Sequence, residues 1–287
     1  MNLREKLSEI DALDLGSVDF ENIKSLITDA IAGDLYLHRE ILPPGDLRFR
    51  VSDYLTERPE DIDQIGPPPP EKAGGFQRCN REHDPMFYAS SSGTTAMMEM
   101  GLDAGQTVYL SVWRLRRPLS VFGALGNRRM WGLNTRFSPD QKDYFRFFLK
   151  KFTEEVGDDF SYRYKLTAAF SELYTNGWDP LEDHIHTTGK VGITYRSVAH
   201  RGFQQNVALS REIYLDYYKP IQCVELSITD QISENPAGFR ITGIADIVQG
   251  YTGLELQWKD AIRADECIQA LSLIVSVIDH HDGPLDD

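Results

Sequence analysis

Four consecutive prolines, Pro67 to Pro70, divide this chain. None of them can donate a backbone hydrogen bond, and each holds φ at about −65°. Such a run fits neither the interior of a helix nor a central strand. Residues 52–75 are therefore expected to form an extended loop. Loops of that length within a domain are commonly functional.

The stretch that follows, 74–100, carries the chemistry. Gly74-Gly75 and Pro85 punctuate a loop, and Met86-Phe87-Tyr88-Ala89-Ser90 reads as a short strand. Ser91-Ser92-Gly93-Thr94 opens a helix expected over about 94–102, with Ser92 as its N-cap. An arginine on the loop (Arg78), a phenol on the strand (Tyr88) and a carboxylate on the helix (Glu99) follow at nearly even spacing. A cation, an aromatic and an acid on successive elements can converge on one cleft.

The rest of the chain frames that stretch. Leu3, Leu7 and Ile10 recur at helical spacing, as do Phe20, Ile23, Ile27 and Ile31, and Asp19 is placed to cap the second run. Pro43-Pro44-Gly45-Asp46 closes the region with a turn. Residues 1–45 thus read as an N-terminal helical extension, packed on the main domain or on a partner, and 46–287 as the main domain. Leu47-Arg48-Phe49-Arg50-Val51 alternates as a strand, which puts Arg48 and Arg50 on one face. For a lone strand that face is expected to be solvated. Further strands are expected at 106–115, 190–198, 206–209, 221–228, 239–248 and 254–258. Helices are expected at 138–156, where Ser138-Pro139-Asp140 is a strong start, and at 162–175 and 266–278. The fold class is α+β.

Composition narrows the function. The chain has 287 residues, 41% of them hydrophobic and 26% charged, enough for a sizeable soluble core. A net charge of −14 argues against non-specific nucleic-acid or anionic-membrane binding. It leaves room for a small anion held by local arginines. The first residues carry charges where a signal peptide needs an apolar run, and the longest apolar-rich stretch, 270–278, is too short to span a bilayer. The expected location is the cytoplasm.

Three cysteines, Cys79, Cys223 and Cys267, lie far apart without metal-site spacing. Reduced thiols are expected, and Cys79 beside Arg78 is either an activated thiol or, more commonly, a buried inert one. His184 and His186 lack further ligands nearby, so no metal site is expected. His280 and His281 fall in an acidic tail and read as non-functional. Arg114, Arg116 and Arg117 read as a surface cluster at a strand end. Residues 123–132 fit neither a phosphate loop nor a dinucleotide fingerprint.

Taken together, several of these pieces resemble the RES domain, named for its arginine, glutamate and serine. The matching pieces are Phe49-Arg50-Val51-Ser52, Arg78-Cys79-Asn80, Pro85-Met86-Phe87-Tyr88-Ala89-Ser90 and Thr95-Ala96-Met97-Met98-Glu99. Downstream, Gly192-Ile193-Thr194-Tyr195-Arg196-Ser197-Val198 is followed by Asn206. The resemblance covers roughly 47–210. The chain departs from it in having Gln77 before Arg78, where a glycine is usual, and a longer stretch between Glu99 and Ser197.

The resemblance implies an ADP-ribosyltransferase-like fold, a split, mixed β-core with flanking helices around an NAD cleft. It implies a toxin that cleaves the nicotinamide–ribose bond of NAD, as a glycohydrolase or phosphorylase, or that transfers ADP-ribose to a protein target. The partner it implies is a small Xre-type antitoxin. Arg50 and Arg78 suit the NAD pyrophosphate, because guanidinium forks pair phosphate oxygens. Tyr88 suits the nicotinamide face. Glu99 suits the positive charge developing on the ribose, and Ser197 and Asn206 suit hydrogen bonding near it. Ser197 need not be a nucleophile, since it has no G-x-S-x-G elbow. A non-enzymatic module that binds a nucleotide or a partner through the same fold is the contrasting reading.

Overall fold

The computed structural model describes residues 2–31, 39–123, 138–175, 192–199, 204–233, 235–251, 253–259 and 262–275. The region 123–132 beyond Gly123, His184, His186, His280 and His281 lie outside the described residues.

Among the described residues ten strands form one sheet: β1 (Arg39–Leu42), β2 (Leu47–Ser52), β3 (Met86–Ser90), β4 (Thr107–Leu115), β5 (Leu119–Gly123), β6 (Gly192–Arg196), β7 (Gln205–Ser210), β8 (Tyr218–Ile228), β9 (Phe239–Gln249) and β10 (Leu254–Trp258). Their order across the sheet is β1-β5-β6-β7-β3-β2-β4-β8-β9-β10. Every pairing is antiparallel except β5 with β6. The molecule is mixed α+β, as the sequence pattern predicts.

One junction in this sheet is thin. Strand β2 makes a full ladder with β4, and β3 makes one with β7, but β2 and β3 are paired only at Phe49↔Ser90. Beyond that bridge the two strands part.

The helices are α1 (Leu3–Asp11), α2 (Phe20–Ile31), α3 (Ile62–Ile65), α4 (Gly93–Glu99), α5 (Pro139–Phe152), α6 (Lys165–Thr175), α7 (Tyr214–Tyr217) and α8 (Ala264–Val275). Directly paired residues share a face of a sheet. Phe49, Ser90 and, two residues back, Tyr88 therefore face the same way.

On that face, helices α1, α2, α5 and α6 cover one half of the sheet, with Ile23, Ile27, Phe152, Phe170, Ile193 and Tyr195 in the shared core. Helices α4 and α8 cover the other half, over Phe49, Val51, Leu110, Val224 and Ile274. Helices α3 and α7 pack on the opposite face against Phe87, Trp113 and Val207. A cleft is left between the two helical blocks, over the thin junction.

Local chemistry fixes the ends of these elements. Asp19 Oδ2 accepts from the backbone N–H of Glu21 at 3.0 Å, and Ser138 forms a reciprocal capping box with Gln141. Ser92 Oγ accepts from Thr95 N–H at 3.1 Å and starts α4. That helix stops at Glu99, short of residue 102, because Gly101 turns left-handed with φ +58°.

Two strands escape the sequence pattern. β1 lies within the N-terminal region read as helical, and β5 follows β4 directly. They pair with each other and extend one edge of the sheet. The solvated-face expectation for Arg48 and Arg50 fails: the residues are 3% and 8% exposed. Both reach across the thin junction to backbone carbonyls on its far side. Arg50 Nη1 donates to Tyr88 O at 3.1 Å. Arg48 Nη1 donates to Gln205 O at 3.1 Å, while its Nε pairs with Asp46 at 2.6 Å.

Candidate active site

The cleft has a volume of about 670 Å³, within the range of small-molecule sites. Arg50, Arg78, Tyr88, Glu99 and Asn206 all line it. Ser197 does not; it stands behind Glu99 and is 6% exposed.

The sheet register sets the floor. Phe49, Ser90, Asn206 and Tyr195 are paired in one row across β2, β3, β7 and β6. Ser90 Oγ donates to Asn206 Oδ1 at 2.6 Å, which fixes the amide so that Nδ2 points to Glu99 Oε1, 3.1 Å away. The same carboxylate oxygen accepts from Val198 N–H at 3.0 Å and from Ser197 Oγ. Glu99, at the last turn of α4, is thus held by three donors from the β6–β7 end of the sheet. A carboxylate with an oxygen so restrained is oriented before any ligand arrives.

Tyr88 is fixed at its hydroxyl, which donates to Asn80 Oδ1 at 2.6 Å and accepts from Cys79 N–H at 2.9 Å. Burial, with the neighbouring Cys79 and Tyr195, holds its pKa well above the ordinary phenol value. The hydroxyl therefore stays protonated at neutral pH, and what Tyr88 offers the cleft is its ring. Burial also pushes the Cys79 thiol up to about 12, outweighing the nearby Arg78, so of the two readings of Cys79 the inert one holds.

The two arginines are anchored by neutral oxygens. Arg50 Nε donates to Gly66 O at 2.9 Å, which ties the proline loop to β2. Burial lowers the pKa of Arg50, partly offset by Tyr54 and Asp53. Arg78 Nη1 donates to Phe152 O, and Nη2 to Glu154 O and Tyr164 Oη, both at 3.3 Å. It thereby satisfies carbonyls left open at the C-terminus of α5. Its guanidinium lies 5.0 Å from the Tyr164 ring centre and 5.8 Å from that of Tyr195. Among the described residues no carboxylate forms a direct ion pair with either arginine.

Sequence reasoning missed Asp53, Tyr54, Lys72, Tyr164 and Tyr195, which also line the cleft. Tyr195 was within reach: it stands two positions before Ser197 on an alternating strand. Tyr164 had no signal, because only the packing of α5 against α6 brings it to Arg78. Arg114, Arg116 and Arg117 do not line the cleft; Arg117 stacks 4.3 Å from Tyr217 and is exposed. Among the described residues there is no group of three or more histidine, cysteine or acidic side chains placed to hold a metal ion. No described helix is long and apolar enough to cross a membrane.

Compared with the known protein families and with curated proteins, the chain matches none.

Proposed function

We propose that this protein is an enzyme that consumes NAD by cleaving the bond between nicotinamide and ribose. The observation that carries the reading is the restrained carboxylate of Glu99 on the floor of a cleft lined by two guanidinium groups and an aromatic ring. An anionic pyrophosphate suits Arg50 and Arg78. The flat, cationic nicotinamide suits the ring of Tyr88, a contact worth about 1–2 kcal/mol when desolvated.

In the reaction the C1′–N bond breaks and its electron pair leaves on the nicotinamide nitrogen, cancelling the charge of that ring. C1′ becomes oxocarbenium-like. Glu99 stabilises the positive charge there, and Ser197, Val198 N–H and Asn206 keep its oxygen aimed. Water then adds to C1′ and releases a proton, giving ADP-ribose. Phosphate in place of water gives ADP-ribose 1″-phosphate, and a protein nucleophile gives a modified protein. Ser197 acts here by positioning Glu99.

The test is incubation of purified protein with NAD, with products separated by chromatography. Free nicotinamide in step with ADP-ribose, its 1″-phosphate or modified protein supports the proposal and identifies the acceptor. Intact NAD after prolonged incubation with folded protein overturns it.

A further inference from the structure

The cleft extends well past Glu99. Glu99 is level with the row that includes Phe49, whereas Asp53 and Tyr54 line the cleft beyond the end of β2. Four residue steps lead from Phe49 to Asp53, which amounts to roughly 13 Å along the strand direction. Arg50 lies between the two ends. Pro68 and Lys72 also line the cleft, and they belong to the proline loop that Arg50 ties down through Gly66 O.

Asp53 is exposed, and among the described residues its carboxylate makes no hydrogen bond or ion pair. The Tyr54 hydroxyl donates to Gln64 O at 2.8 Å, which fixes the ring beside it. The Asp53 carboxylate, free of hydrogen bonds among the described residues and near the Arg50 guanidinium, and the fixed Tyr54 ring line the same end of the cleft, and together they match a ribose diol and its purine base. The diol supplies two O–H donors and the base supplies a stacking face for the ring.

Resting on the proposed NAD reading, we infer that Asp53 and Tyr54 form the subsite for the adenosine half of the dinucleotide, and that Asp53 makes the cleft select NAD over NADP. A carboxylate accepts from the 2′-hydroxyl, but it repels a phosphate on that oxygen, and the same logic separates the two cofactors in dinucleotide-binding folds. Lys72, also on the cleft wall, works in the opposite direction. It is exposed and makes no ion pair among the described residues, so it is the group a 2′-phosphate would seek.

The experiment measures affinity and turnover for NAD and NADP in wild type, Asp53→Asn and Lys72→Ala. The wild type is expected to favour NAD by ~10-fold or more in kcat/KM and in affinity, the scale of a hydrogen bond to a charged group. Asp53→Asn removes the charge and should narrow that ratio several-fold, chiefly by improving NADP. Lys72→Ala should leave the NAD preference in place. Equal use of both dinucleotides by wild type, a ratio unmoved by Asp53→Asn, or a preference for NADP that Lys72→Ala abolishes overturns the Asp53 assignment while the NAD reading stands. Selective binding of NAD without cleavage, relaxed by Asp53→Asn, upholds the subsite and overturns the enzymatic reading. Failure of wild type to bind either dinucleotide overturns both.

Discussion

Asn206 Nδ2 lies 3.1 Å from Glu99 Oε1, and the carbonyl of the same amide accepts from Ser90 at 2.6 Å. One side chain thus carries the register of β3 and β7 directly into the orientation of the cleft's acid. Glutamine at position 99 can keep its oxygen toward the same donors while losing the charge. The ground-state ribose is neutral and the cleaving ribose is cationic, so only the transition state should suffer. Glu99→Gln is expected to bind NAD within a few-fold of wild type and to turn over ~10²-fold more slowly. Calorimetric titration and single-turnover kinetics separate the two quantities, and equal turnover would remove Glu99 from catalysis.

Arg78 is expected to show two separable effects, because it faces the cleft and also closes the end of α5. Arg78→Ala should lose NAD affinity and also stability, the latter by about 1–3 kcal/mol for the carbonyls it abandons. Arg78→Lys restores a charge without the planar fork, so it should recover part of the affinity. Denaturant unfolding run beside the titrations distinguishes the effects. Wild-type NAD affinity in a folded Arg78→Ala protein would leave the residue a purely structural role.

A pH dependence follows from Glu172 on α6. Its carboxylate takes Lys24 of α2 at 2.7 Å and Arg81 at 2.5 Å, linking the first helices to the loop that carries Arg78. Burial alone would raise its pKa, but hydrogen bonds from Arg81 and Lys24 outweigh burial and lower it. A carboxylate depressed on folding contributes stability above its unfolded pKa, about 4.3, and loses it as pH falls through the folded value. Glu172→Gln should therefore be less stable than wild type at pH 7, with the gap closing on acidification. Thermal unfolding of both proteins across pH checks this, and a gap independent of pH would count against it.

Cys79 offers a contrast that alkylation can read. Its thiol is buried and pushed up to about 12, while Cys267 is partly exposed. Iodoacetamide on the native protein at about pH 8 should label Cys267 and spare Cys79 until denaturant is added. Prompt labelling of Cys79 in native protein would revive the activated-thiol reading.

Much of this arrangement was legible in the chain. Helix starts marked by Asp19, Ser92 and Ser138 are local chemistry, and the caps form where those residues stand. The strands around Phe49, Leu110 and Ile193 were legible from alternation, because their apolar residues recur every second position.

What was not legible depends on contacts distant in sequence. The burial of Arg48 and Arg50 follows from the parting of β2 from β3, which no local pattern encodes. β1 and β5 are short, and they are strands because they pair with each other. The approach of Tyr164 to Arg78, and of Ser197 to Glu99, requires the packed molecule.

The single bridge between β2 and β3 has a mechanical consequence. The sheet consists of two panels, and the chain passes from one to the other between β1 and β2, β2 and β3, β3 and β4, β4 and β5, and β7 and β8. Few backbone hydrogen bonds resist widening at the crease, while repeated covalent crossings keep the panels from peeling apart. Widening the crease would break the side-chain bridges of Arg48 and Arg50 as well as the one backbone bridge, yet leave each panel's own ladder intact, and amide exchange is expected to be fastest along that crease among the central strands.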